Sequence, residues 1–217
     1  MRKTKIVCTL GPATDSDAVL RQIMQSGMNI ARFNFSHQTH DDHMRRADSL
    51  RKLRTELDLP IAFLLDTKGP EIRLGLFKNK SVELKEGQSF TLTTREVEGD
   101  NAIDSISFKG LPGDVSTGKH ILIDDGLIDM VVVDTDKTEI FCKVLNGGKV
   151  SNNKGVNVPG VRLSLPFVSE KDKGDLLFGI ENNFDFVAAS FTRTAADIIE
   201  IRSILENNGG RNIRITA

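Results

Sequence analysis

The chain has 217 residues, enough for one or two domains with real cores, so size alone gives no reason for disulfide staples. Its 29 Lys and Arg against 30 Asp and Glu leave a formal net charge of -1, which excludes a protein that grips nucleic acid through global positive charge. Twelve Phe with no Tyr or Trp supply neither a base-stacking platform nor an interfacial aromatic belt, so the expected partners include no nucleic acid and no membrane.

In chain order, MRKTKIVCTLGP starts basic but holds only a five-residue apolar run before Gly11-Pro12, too short for a signal segment or a membrane span; this predicts a soluble, cytoplasmic protein. KIVCTL reads as a short strand. Thr14 to Asp17 offers N-cap candidates for a helix carrying Val19, Leu20, Ile23 and Met24, which Gly27 stops. The next strand, IARFNFSH (30–37), puts Ile30, Arg32, Asn34 and Ser36 on one face and Ala31, Phe33 and Phe35 on the other. One face thus turns from apolar to polar, as a strand does when it ends at the mouth of an α/β sheet or barrel. A helix from about His40 to Leu57 follows, with Met44, Ala47, Leu50, Leu53 and Leu57 along one side, and then IAFLLD, a continuous apolar run typical of a covered parallel strand.

From about Lys68 to Phe167 the texture changes to short alternating segments such as QSFTLTT, KHILIDDG and TEIFCKVL, with no convincing helix; these predict a small antiparallel β-barrel or sandwich. The strand–helix alternation then resumes with a capping box at Ser169-Glu-Lys-Asp172, a helix to about Asn182, the strand FDFVAASF, the helix AADIIEIRSILENN and the strand RNIRITA. Cys8 and Cys142, far apart in apolar contexts, are expected to be buried reduced thiols without a catalytic role. Five βα-type strands with an insertion after the third fit an open doubly wound sheet or the first part of an eight-stranded barrel. The absence of GxGxxG and GxxxxGK[ST], and an end within a strand, favour the second. The expected fold is an incomplete (β/α)8 TIM barrel of about five strands with an inserted all-β barrel domain, divided into 1–69 (barrel), 70–167 (insertion) and 168–217 (barrel, continued).

If the strand ends share one mouth, Arg32, Asn34, Ser36, Asp66 and Thr67 are neighbours. Their side chains offer oxygen donors with a single negative charge, a set suited to a hard cation of low charge, while Arg32 suits an anionic phosphate or carboxylate. Taken singly, each also reads as an exposed strand end or a helix cap. In DTKGPEIR (66–73), Gly69-Pro70 makes a turn and Arg73 enters the β-rich segment, where a hinge salt bridge is the plain reading and a cleft cation the functional one. IDDGLID (123–129) reads as an Asp-Gly hairpin and NNKGVNVPG (152–160) as a glycine loop from which Lys154 presents a cation.

Together, TKIVCTLGPAT (4–14), GMNIARFNFSH (27–37), LLDTKGPEIR (64–73), IDDGLI (123–128), NKGVNVPG (153–160), SEKD (169–172) and DFVAASFTR (185–193) resemble pyruvate kinase, in the family's order over the whole chain. The resemblance implies a (β/α)8 catalytic domain with a mobile β-barrel cap that excludes water on closing, and phosphoryl transfer from phosphoenolpyruvate to ADP, giving pyruvate and ATP in glycolysis. It implies that Arg32 contacts the transferred phosphoryl group, that Asn34, Ser36, Asp66 and Thr67 are potassium ligands, and that Asn34, His37, Arg73 and Lys154 face the nucleotide. Arg73 joins Arg32 in the catalytic set, and Asp124 or Asp125 approaches on closure. Implied cofactors are K+ and Mg2+ or Mn2+, and the implied parent is a homotetramer. Two departures stand out: Gln38 replaces a usual glycine, and the chain ends at Ala217 where the family continues with a Lys-Ile-Glu stretch bearing the catalytic lysine and a divalent-metal carboxylate. The chain alone is therefore expected to be an inactive amino-terminal portion. The alternative expectation is a non-catalytic phosphate- or nucleotide-binding module.

Overall fold

A computed structural model of the chain describes residues 3–217, so the first two residues of the basic start lie outside the described residues. The chain alternates β1 (Val7–Leu10), α1 (Asp17–Gln25), β2 (Ile30–Asn34), α2 (His40–Leu57) and β3 (Ala62–Asp66). There follow β4 (Ile72–Arg73), β5 (Ser81–Leu84), β6 (Ser89–Thr93), β7 (Ile103–Ser105), α3 (Leu111–Asp114), β8 (His120–Ile123), β9 (Ile128–Thr135), β10 (Glu139–Asn146), β11 (Gly148–Ser151) and β12 (Gly155–Asn157). It closes with α4 (Glu170–Glu181), β13 (Phe186–Ala188), α5 (Ala195–Asn207) and β14 (Arg214–Thr216). These elements form two compact units, Met1–Pro70 with Phe167–Ala217, and Glu71–Pro166.

The first unit is a five-stranded parallel sheet in the order β1-β2-β3-β13-β14, the strand–helix order of a partial TIM barrel. Its helices start where short polar side chains cap them. Thr39, Ser169 and Thr194 each accept the backbone N–H three residues on, within full capping boxes, whereas Ser16, which precedes α1, makes no such side-chain bond. Period-two burial holds along β2: Ala31, Phe33 and Phe35 are buried, while Arg32, Asn34 and Ser36 are half-buried. The buried face meets an aromatic cluster in which Phe33 stacks on Phe63 at 5.7 Å and meets Phe184 edge-on at 5.1 Å. Each such phenylalanine contributes roughly 2–3 kcal/mol of burial. Helix α4 lies so close to β3 that a Cβ at Gly179 would stand 2.8 Å from Leu65 Cδ1, so a larger residue there would force the buried Leu65 side chain to shift.

The second unit holds a seven-stranded sheet, β4-β12-β8-β9-β10-β6-β7, and a two-stranded sheet, β11-β5, around their own apolar core. Two sequence expectations are corrected here. The segment lacks no helix, since Leu111–Asp114 makes one helical turn. The glycine loop after Lys154 is strand β12, because Gly155 and Val156 pair with Arg73 and Ile72 on one side while Val156 and Asn157 pair with Ile123 and Leu122 on the other. The cysteines also differ from expectation: Cys142 is buried, but Cys8, on a strand paired on one side only among the described residues, is half-buried.

Asp104 in β7 is fully buried; its Oδ1 accepts the Ser105 N–H at 2.8 Å, and its Oδ2 has no partner among the described residues. It is boxed in by Gly75 and Gly99, whose substituted Cβ atoms would stand 3.0 and 2.6 Å from its Oδ1. Burial pushes its carboxyl up to about 6, against hydrogen bonds from Ser105 and Gly75 that lower it. A folded-state value raised above the unfolded one means stability that is full below the unfolded value of 3.8 and lost as pH rises through about 6. We predict that Asp104→Asn stabilises the second unit at pH 7.5 by roughly 1–3 kcal/mol and that the gain vanishes near pH 4, read from amide hydrogen exchange of its strands. An unchanged or lowered stability at pH 7.5 would contradict this. We also predict that an alkylating reagent labels Cys8 in the native chain and reaches Cys142, whose thiol burial pushes up to about 12, only on unfolding; mass spectrometry of native and urea-treated chain reads the order.

Candidate active site

The carboxyl ends of β2 and β3 carry the polar residues, and strand register sets them side by side: Thr9 pairs with Arg32, Asn34 with Asp66, and Asp66 with Ala188. Arg32 donates from Nε to Asp66 Oδ2 at 2.8 Å, adds a second bond from Nη2 to the same oxygen, and reaches Thr9 Oγ1 from Nη1 at 2.8 Å. The other carboxylate oxygen of Asp66 accepts from Ser190 Oγ at 2.6 Å. Asp66 is only 6 % exposed, so this hydrogen bonding replaces the water it has lost. Thr67, also buried, donates to the Ala188 carbonyl at 3.3 Å and accepts the Ser190 N–H at 3.2 Å. Asn34 Oδ1 accepts the Ser36 N–H at 3.0 Å, which bends the chain out of β2. The structure thus brings Arg32, Asn34, Ser36, Asp66 and Thr67 to one rim of the parallel sheet.

The loop beyond that rim is held from beneath. His37 donates its N–H to the Asn34 carbonyl at 3.3 Å, and its own carbonyl lies 3.1 Å from Nε2 of the buried His43. Burial lowers the His43 pKa, so its ring is neutral; it stacks on Phe35 at 4.1 Å with Nε2–H as donor. Lys171 donates to the Phe35 carbonyl at 2.7 Å and to the buried Asp175 at 2.6 Å, and His40 lies 2.7 Å from the other Asp175 oxygen. Gln38 has the left-handed φ of 71°, where glycine is favoured, and its side-chain oxygen accepts from Arg46. Arg46 also grips Asp15, and that hydrogen bond holds the Asp15 carboxyl below its usual range.

Beyond the rim, Gly69 donates its N–H to Asp172 Oδ1 at 3.1 Å; its φ of 65° and a would-be Cβ only 2.5 Å from the Ser190 carbonyl oxygen reserve the position for glycine. Ser190, Thr9, Lys171 and His43 escaped the sequence reading. Ser190 lies two residues past the end of β13, just as Thr67 lies one residue past β3, so the strand-end rule applied to this fourth strand reaches it.

The second unit holds the other predicted residues. Arg73 pairs in register with Gly155; its Nε donates to Glu71 Oε2 at 2.8 Å, and its Nη1 donates to the Asn153 carbonyl at 2.7 Å. Lys154 Nζ lies 2.9 Å from Asp124 Oδ1. Arg73 and Lys154 are therefore neighbours on the β4–β12 pair, each with a carboxylate partner.

Residues 1–217 match the family model described as pyruvate kinase, barrel domain. A pyruvate kinase of Sporosarcina psychrophila is 50% identical over 217 residues, which cover 99% of this chain and 37% of that protein. A pyruvate kinase of Staphylococcus aureus (strain USA300) is 50% identical over 208 residues, 95% of this chain and 36% of that protein. The chain thus spans little more than a third of the length of these curated relatives. With a family match along its whole length and a parallel-sheet rim of the kind such barrels use, the chain is a member of the pyruvate kinase barrel-domain family.

Proposed function

We propose that this chain is the amino-terminal part of a pyruvate kinase and supplies the phosphoryl-binding and potassium-binding residues of its reaction, with Arg73 and Lys154 contacting nucleotide phosphates. In that reaction an oxygen of the ADP terminal phosphate attacks the phosphorus of phosphoenolpyruvate, the phosphorus–oxygen bond to the enolate breaks, and the enolate takes a proton to become pyruvate. Such transfer asks for alignment and for charge placed against the equatorial phosphoryl oxygens. The observation that carries the reading is the orientation of Arg32. A guanidinium has five N–H donors; three go to Asp66 and Thr9, so two remain in a fixed direction, and the group is held for a phosphoryl oxygen without having to be ordered on binding.

The donor set fits a monovalent cation in kind. Asn34, Ser36, Asp66 and Thr67 would hold K+: they offer oxygen only, and the charge of Asp66 is already balanced by Arg32. Such a cation, when bound, supplies positive charge beside the transferred group. Asn34 at the end of β2 and His37 in the loop after it are proposed to face the nucleotide, and the bonds from His43 and Lys171 fix the backbone of that loop. Among the described residues no group of three or more His, Cys, Asp or Glu is placed to hold a metal. We assign the Mg2+ or Mn2+ ligands to the part of the relatives that this chain does not span. As part of the same reading we propose a cytoplasmic, homotetrameric parent. No helix among the described residues is long and apolar enough to cross a membrane.

The test is a chimera. Grafted in place of the matching segment of the S. psychrophila pyruvate kinase, the chain should form pyruvate from phosphoenolpyruvate and ADP in a K+-dependent manner. Arg32→Met should lower kcat about 100-fold or more, the range for loss of one preorganised charge-stabilising donor. The 217-residue chain by itself should show no turnover above background. A folded chimera without activity, or one indifferent to Arg32→Met, refutes the reading.

A further inference from the structure

We propose that Asp124 is an internal counter-ion of Lys154 that makes this cation selective for multiply charged phosphates over single-charge anions. The inference rests on the reading of Lys154 as a phosphate-contacting residue and adds to it what Lys154 is bonded to before a ligand arrives.

The pair is built, not incidental. Residues 124, 125 and 126 follow one another with left-handed φ values of 54°, 56° and 88°, a turn type that usually takes Asn or Gly at such positions. The Asp124 N–H donates to the Gly155 carbonyl at 3.1 Å, which ties this turn to the residue after Lys154. On the lysine side, Asn153 is left-handed at 58°, and the Lys154 carbonyl accepts the Leu74 N–H at 2.8 Å. Both backbones are therefore fixed before the side chains meet at 2.9 Å, with Lys154 35% and Asp124 21% exposed. The neighbouring cation follows the same rule, because Arg73 is matched by Glu71 at 2.7 Å.

Lys154 is already matched by Asp124 and Arg73 by Glu71, and exposed Asp125 adds a further carboxylate beside the turn, so an anion reaches these cations by replacing a carboxylate. A monoanion such as chloride exchanges one negative partner for another and gains little. A diphosphate carries more charge than the carboxylate it displaces, so it wins the exchange. The chemical class selected is a diphosphate or longer chain, such as the tail of a nucleoside diphosphate.

The experiment titrates the 217-residue chain with inorganic pyrophosphate and separately with chloride. Wild type, Asp124→Asn, Asp124→Glu and Lys154→Met are compared by calorimetry and by the Lys154 ammonium resonance. Asn tolerates the left-handed position at least as well as Asp, so the turn persists, and amide exchange of β8 and β12 verifies it. Asp124→Asn should bind pyrophosphate about two- to five-fold more tightly, the range for release of one partly exposed ion pair. Its preference for pyrophosphate over chloride should shrink, and Asp124→Glu should restore it. In the wild-type chain, pyrophosphate should break the Lys154–Asp124 bond. If Lys154→Met weakens binding but Asp124→Asn leaves it unchanged or weaker, or if the bond persists at saturation, the counter-ion role is overturned alone. If Lys154→Met binds as wild type does, the phosphate role of Lys154 fails, and the proposal with it.

Discussion

A carboxylate taken out of water must be matched or it destabilises the fold, and in this chain Asp66 is that carboxylate. Buried at the end of β3, it draws Arg32 from β2 on one oxygen and Ser190 from beyond β13 on the other. Three adjacent strand ends are thereby tied at the level where the sheet meets solvent. The orientation of Arg32 follows from this constraint, and with it the direction of its remaining donors. A rim organised this way is rigid without large apolar groups, so its residues can be polar and still well placed.

The β-rich unit shows the opposite use of acids. Asp104 is buried with one oxygen unmatched, which pushes its carboxyl towards neutrality, while Asp124 sits in a hairpin turn with a lysine partner. The first is a reserve of instability inside the unit, and the second is a surface charge balance. Their difference comes from solvent access: water and a cation reach Asp124, and glycine-tight packing denies both to Asp104.

Features that depend on near neighbours were legible in the sequence. The span of α2, the capping box at Ser169 and the parallel, strand–helix character of the barrel portion all follow from periodicity and capping chemistry. Period-two reasoning likewise separated Arg32, Asn34 and Ser36 from the buried phenylalanines of β2. Features made by distant pairing were not. β12 reads as a loop because Gly155 and Asn157 have poor strand propensity, and only Arg73 and Ile123 on its two sides make it a strand. Lys171 looks like an ordinary first-turn residue of a capped helix, yet its ammonium holds a carbonyl of β2's exit loop, 136 residues earlier. Ser190 and Thr9 bear hydroxyls too common to single out, and register alone gives them meaning. Gln38 was visible as a departure from glycine, but the arginine that steadies its left-handed backbone was not.

The pairing of β3 with β13 has a kinetic consequence. These strands are neighbours in one sheet, but the whole Glu71–Pro166 unit separates them along the chain, and closing so long a flexible loop is entropically slow. Within that unit, however, Arg73 pairs with Gly155, so once it folds its two ends are already held near each other. The intervening segment then acts as a staple, and the effective loop for joining β3 to β13 shrinks to residues 67–72 and 156–185, a stretch that includes α4. Folding of the β-rich unit first would thus set the pace for completing the parallel sheet, in the order in which a ribosome delivers them.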